Sequence, residues 1–179
     1  MKIRKPNRLP EFDYSTDNLY FITSCVHNRV CCFGEIRNKV MMINKYGEIA
    51  ERQWQWLSNH YPYVFSHAFV VMPNHIHLII EIKSGGTRCD VGTGREFVGT
   101  GRDLSLHRDP SLPKIKSIPE LIGAYKTTTS KQIHLAGMSN FAWQRSFYDR
   151  IIRDDVAYYN IKRYILSNPS KWNDDLFYI

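Results

Sequence analysis

The sequence predicts an α+β domain built around an antiparallel sheet. Stretches with strand-like and helical patterning follow in the order strand–helix–strand–strand–helix–strand–helix, which fits that class. Two strand-like runs, Val64–Met72 and the run from His75, flank Pro73-Asn74 and read as a hairpin. Ser117-Ile118-Pro119-Glu120 reads as a helix start, with Ser117 as N-cap and Glu120 placed for a capping box.

The elements follow from local pattern. Residues 18–26 contain Leu19, Tyr20, Phe21, Ile22 and Thr23, a strong strand signal. From about 38 to 59 the spacing of Ile43, Tyr46, Ala50, Trp54 and Leu57 is helical, and Tyr61-Pro62 ends it. After Pro73, side chains alternate faces. His75, His77, Ile79 and Glu81 share one face; Ile76, Leu78 and Ile80 share the other. At about 3.3 Å rise per residue, the two imidazoles start from Cα atoms roughly 6–7 Å apart and can converge on one cation. The helix begun at Ser117 runs to about Leu135 through Leu121, Ala124, Tyr125, Thr128 and Ile133, with Lys126 and Lys131 making its exposed side basic. Residues 142–152 read as the last strand. A final helix starts at Asp154 or Asp155 and stops before Asn168-Pro169.

Bulk properties narrow the function classes. A chain of 179 residues suggests one domain able to bury a core. Residues 1–17 form a basic arm with Arg4, Lys5 and Arg8, and residues 83–116 form a Gly/Arg-rich insert. Within the insert Val91-Gly92-Thr93-Gly94-Arg95 recurs as Val98-Gly99-Thr100-Gly101-Arg102, either a loop along a nucleic-acid backbone or a dispensable insertion. A net charge of +7 makes a polyanion the natural partner, and 13% aromatic residues offer stacking surface for bases. No apolar run approaches the length of a membrane span and residues 1–17 lack an apolar core, so a cytoplasmic protein is expected. Cys25, Cys31, Cys32 and Cys89 show no zinc-ribbon spacing, and reduced thiols are expected.

Val70-Val71-Met72-Pro73-Asn74-His75-Ile76-His77-Leu78-Ile79-Ile80 resembles the His-hydrophobe-His (HUH) motif of single-tyrosine transposases of bacterial insertion sequences. Trp143-Gln144-Arg145-Ser146-Phe147-Tyr148-Asp149-Arg150-Ile151-Ile152-Arg153 and Asn168-Pro169 resemble the REP-associated tyrosine transposases, and Arg4-Lys5-Pro6-Asn7-Arg8 fits that branch. The resemblance implies a ferredoxin-like sheet with the His-bearing strand central and the nucleophile on the last helix. It implies that His75 and His77 hold Mg²⁺ or Mn²⁺, and that single-stranded DNA, folded as hairpins, is cleaved and rejoined through a 5′-phosphotyrosine.

The family's tyrosine falls a few residues beyond the Ile-Ile-Arg stretch, matching Tyr158. Helix geometry agrees: at 100° per residue, Ala157, Ile161, Tyr164 and Ile165 form an apolar face, and Tyr158 borders it. Tyr159 and Tyr125 are lesser candidates. Wider relatives place a third metal ligand, often glutamine, one turn after the tyrosine. Lys162 stands there, so Asn160 or Glu81 would have to substitute, while Lys162 contacts phosphate or the tyrosine. Expected DNA contacts are Arg4, Lys5, Arg8, Lys126, Lys131 and Lys162. A nucleic-acid-binding module without catalysis and an RNA-binding ferredoxin-like domain are the alternatives, and both monomer and homodimer stay open.

Overall fold

A computed structural model describes residues 12–85 and 115–178. Arg4, Lys5, Arg8, Cys89 and the repeated Val-Gly-Thr-Gly-Arg units lie outside the described residues. The described elements run β1 (Asn18–Cys25), β2 (Gly34–Arg37), β3 (Val40–Ile43), α1 (Lys45–His60), β4 (Val64–Met72), β5 (His75–Ile82), α2 (Ile118–Leu135), β6 (Tyr148–Ile152) and α3 (Asp155–Ser167), followed by a 3-10 segment, Asn168–Asp174. Among the described residues no helix is long and apolar enough to cross a membrane.

The main sheet has the order β4-β5-β1-β6 and is antiparallel throughout. This is the ferredoxin-like plan, with the His-bearing β5 central as expected. Met72 pairs with His75, so Pro73 and Asn74 make the hairpin turn. Alternation sorts the faces. Tyr20, Ile22, Ile76, Leu78, Ile80 and Ile82 are fully buried in the main core, which α1 and α2 cover. Each fully buried Ile or Leu there contributes about 1.5–3 kcal/mol of transfer free energy. The opposite face, with Phe21, Ala68, Ile79 and Ile152, is covered by Ala157, Ile161 and Ile165 of α3.

Helix caps follow the sequence closely. Asn44 Oδ1 accepts from Tyr46 N at 2.9 Å and Gly47 N at 3.2 Å. Glu120 Oε2 accepts from Ser117 N at 2.7 Å, and Asp154 Oδ1 accepts from Ala157 N at 2.7 Å. α1 therefore starts after Asn44, not near residue 38. The stretch before it folds into the β2–β3 hairpin, turned by Asn38 and Lys39 at φ 51° and 65°. The last strand is also shorter than expected. Lys126 Nζ takes the carbonyls of Gln144 and Ser146 at 2.9 and 3.1 Å, so residues before Tyr148 keep only a bridge between Trp143 and Val26.

Gly34 opens β2 at φ +144°, where a Cβ would overlap the Met42 carbonyl oxygen across the hairpin. Gly34→Ala should therefore cost roughly 1–3 kcal/mol, read as a lowered thermal midpoint. An unchanged midpoint would show that the hairpin relaxes freely.

Candidate metal centre and tyrosine site

β5 turns His75 and His77 toward α3, where they are 0% and 1% exposed. Their Nε2 atoms face one another at 3.0 Å. The remaining ring nitrogens are engaged, His77 Nδ1 with Thr23 Oγ1 at 2.7 Å and His75 Nδ1 with Asn74 Oδ1 at 2.8 Å. Asn74 Nδ2 donates to the carbonyls of Arg29 and Phe177 at 3.1 and 2.8 Å, which fixes the orientation of the amide. Asn74 Oδ1 then only accepts, so His75 carries its proton on Nδ1 and leaves Nε2 unprotonated. A threonine hydroxyl can donate or accept. When Thr23 accepts, His77 also holds its proton on Nδ1, and both Nε2 lone pairs are free to ligate.

A third group comes from far along the chain. Ligand atoms of His75, His77 and Asp175 all lie within 4.8 Å of one another. Asp175 is held by three donors: Asn168 Nδ2 at 2.7 Å and Tyr164 OH at 3.1 Å on Oδ2, and Phe177 N at 2.7 Å on Oδ1. The Tyr164 hydroxyl also lies 3.2 Å from His77 Nε2. Asn168 is 2% exposed, and its Oδ1 has no hydrogen-bond partner among the described residues. Two neutral imidazoles and a carboxylate make a donor set that fits Mg²⁺ or Mn²⁺, and the orphaned acceptor belongs to a residue bonded to that carboxylate. Phe21, Thr23, Arg29, His77, Tyr148 and Tyr164, with residues 174–177, line a cleft of about 640 Å³ that reaches His77.

Burial sets the charge state of the site. Desolvation, with Arg29 nearby, pushes His75 down to about 3; desolvation, with His75 nearby, does the same to His77. Burial and the Asp175 carboxylate push the Tyr164 phenol up to about 12, so it is protonated at rest. The histidine shifts have a stability consequence. Above pH 6.5 the rings are neutral both folded and unfolded, and no difference arises. Between 6.5 and about 3 the unfolded chain takes up protons that the folded protein refuses. Metal-free protein should thus lose up to about 1.4 kcal/mol per pH unit per histidine as pH falls through this window. Melts at pH 7 and pH 4.5 in chelator test this, and equal midpoints would contradict it.

The expected site residues are not all brought together. Tyr158 OH meets His67 Nδ1 at 3.1 Å, His67 Nε2 meets Glu81 Oε2 at 2.9 Å, and Lys162 Nζ reaches Tyr158 OH at 3.4 Å. This group occupies the far end of β5 from His75. Its imidazole is delivered by an irregularity in β4 between Ser66 and Ala68. Glu81 is therefore engaged away from the histidine pair, and Asn160 lines a neighbouring pocket with Phe21 and Tyr164. Tyr159 is 63% exposed, and Tyr125 is buried in the opposite core with its hydroxyl on the Ala50 carbonyl. Lys126 and Lys131 lie on α2 beside residues 141–145. Tyr164, read from the sequence as a packed residue, is instead 38% exposed with its hydroxyl in the site. Asn168 stands one helical turn after it, so testing the one-turn rule on every tyrosine would have found the pair. Asp175 carried no sequence signal.

The strand order, the histidine pair on the central strand and α3 across that face define the HUH class of fold. A solved REP-associated tyrosine transposase bound to a REP hairpin is similar to 94% of this chain and 74% of its own, with a TM-score of 0.55 and 17% identity, a likeness of fold. No family model matches the chain. An uncharacterized protein of Haemophilus influenzae is 30% identical over 177 residues, covering 98% of this chain and 93% of that protein. The chain belongs to the family of that protein.

Proposed function

We propose that this protein is a metal-dependent strand transferase for single-stranded, hairpin-forming DNA, with Tyr164 as the nucleophile. One observation carries the reading: the Tyr164 hydroxyl lies 3.2 Å from His77 Nε2, against the His75–His77–Asp175 donor set. The Tyr158 hydroxyl, expected from the sequence to attack, is bonded instead to His67. His75, His77 and Asp175 would hold Mg²⁺ or Mn²⁺, with Asn168 Oδ1 as a further donor. A bound divalent cation supplies Lewis acidity to the scissile phosphate and offsets its developing charge.

The protein's own groups do the rest. Thr23 and Asn74 orient the imidazoles, and burial keeps them neutral. Asp175 Oδ2 accepts the phenolic proton as the Tyr164 oxygen attacks phosphorus. The P–O3′ bond breaks, the leaving 3′ oxygen takes a proton from water to become a free 3′-hydroxyl, and the phosphate stays on the enzyme as a 5′-phosphotyrosine. That linkage conserves the phosphodiester, so the reverse attack by a 3′-hydroxyl rejoins strands without a nucleotide cofactor. Phe21, Tyr148, Tyr164 and Phe177 offer ring faces and edges for unpaired bases along the cleft.

The test is incubation with a pool of end-labelled hairpin oligonucleotides carrying randomised single-stranded flanks, with Mn²⁺ or chelator, followed by a denaturing gel. A Mn²⁺-dependent covalent complex carrying the 3′ label supports the reading. Tight hairpin binding with no adduct from any pool member would assign the protein to non-catalytic binding instead.

A further inference from the structure

Arg29 is the only lysine or arginine among the described residues that line the cleft at His77, where Asp174 and Asp175 stand with it. A strained turn brings it there. Shortly after β1, Asn28 and Arg29 both take φ of 54°, a left-handed value that side chains rarely adopt. Each such residue costs roughly 1–2 kcal/mol, and the strain persists only where the surroundings hold it. Here they do. Arg29 N donates to the Val26 carbonyl at 3.0 Å, and Asn74 Nδ2 donates to the Arg29 carbonyl at 3.1 Å. Asn74 is also the residue whose Oδ1 holds His75. One amide therefore locks the arginine's backbone and a candidate metal ligand into a single frame.

The side chain is aimed as firmly. Arg29 Nη1 donates to the Leu176 carbonyl at 3.3 Å, and the guanidinium carbon lies 5.4 Å from the centre of the Phe177 ring. That ring in turn lies 4.8 Å from the His75 ring and 6.0 Å from the His77 ring. No carboxylate among the described residues pairs with Arg29. A guanidinium offers five N–H donors, and the Leu176 carbonyl takes one of them. A half-buried cation, held without a counter-charge beside two imidazoles, calls for an anion from outside the chain.

We propose that Arg29 grips the phosphate that Tyr164 attacks. The inference rests on the strand-transferase reading for its substrate. With two carboxylates in its lining, the cleft admits a phosphate only where positive charge outweighs them. A divalent cation offsets Asp175, and Arg29 supplies the remaining charge. As the Tyr164 oxygen bonds to phosphorus and the P–O3′ bond breaks, charge builds on the non-bridging oxygens. The planar guanidinium meets two acceptors at once, a geometry that lysine does not offer.

The experiment compares wild type, Arg29→Ala and Arg29→Lys, with thermal melting as the check on folding. Fluorescence anisotropy in chelator uses a labelled oligo-dT strand and the same strand with methylphosphonate linkages, which carry no charge. Arg29→Ala should bind oligo-dT about 10-fold more weakly near 0.1 M salt, with a log–log salt slope smaller by roughly 0.7, the share of one phosphate on a single strand. Binding of the uncharged strand should change by less than about two-fold, and Arg29→Lys should keep the wild-type slope. With protein saturating, Mn²⁺-dependent adduct formation on the hairpin pool should slow at least about 10²-fold in Arg29→Ala, with Arg29→Lys in between. An equal loss on the uncharged strand would mean that the arginine packs on bases, and unchanged binding that it meets no phosphate; either overturns the proposal. Adduct formed at equal rates in all three proteins would overturn it too, while leaving the transferase reading intact. No adduct from wild type would end that reading, and this assignment with it.

Discussion

Tyr164→Phe is expected to abolish the covalent complex with hairpin DNA, by at least about 10³-fold, because the attacking oxygen is gone while the ring remains. The missing hydroxyl would otherwise bond Asp175 and His77, so the stability cost should be only about 1 kcal/mol. Hairpin affinity should stay near wild type. Tyr158→Phe is the decisive companion. Its hydroxyl belongs to the His67–Glu81 chain at the other end of β5, and removing it should leave the adduct in place. The reverse outcome, an adduct that survives Tyr164→Phe and vanishes with Tyr158→Phe, would return the nucleophile to the residue that the sequence resemblance favours.

Replacing the histidines should have the next largest effect. His77→Ala removes one of the two Nε2 donors and should lower Mn²⁺-dependent adduct formation by at least about 10²-fold. It also leaves Thr23 Oγ1 without its 2.7 Å partner in a buried position, at a further cost of roughly 1–3 kcal/mol. His75→Ala should behave alike, with Asn74 Oδ1 left without its imidazole partner. DNA binding should largely persist, since the grip on phosphates does not depend on these rings. Calorimetric titration gives an independent readout: Mn²⁺ affinity should fall in both variants, and an affinity equal to wild type would remove the metal assignment.

The sheet could be read from the chain because its signals are local. Alternation around His75–Glu81 and the capping residues Ser117 and Asp154 act over a few residues, and the structure keeps them. The errors lie where tertiary context outweighs pattern. Ile43 continues the helical spacing of Tyr46, Ala50, Trp54 and Leu57, yet positive φ at Asn38 and Lys39 turns the stretch before Asn44 into a hairpin. Residues 142–147 look like a strand, but their carbonyls at Gln144 and Ser146 go to Lys126 and the pairing with β1 narrows to the Val26–Trp143 bridge. The histidine pair was legible for the same local reason as its strand. Tyr164 was hidden because helix periodicity gives it the same face as Ile161 and Ile165, and periodicity cannot tell a packed ring from one aimed at a cleft. Asp175 reaches the site only because the segment after α3 folds back over β5, a return that no short window of sequence records.

That return has a kinetic meaning. Asn74 joins carbonyls 45 positions before it and 103 after it in the chain, and Arg29 reaches the Leu176 carbonyl across 147. Pairings of such span close late, because the loop entropy must be overcome before they form. During synthesis, β1, β4 and β5 can pair long before residues 164–177 leave the ribosome, so the histidines are in place while their carboxylate and phenol are still absent. On the proposed reading, a nascent chain carries the histidine pair before the groups assigned to strand cleavage, and competence arrives with residues 164–177.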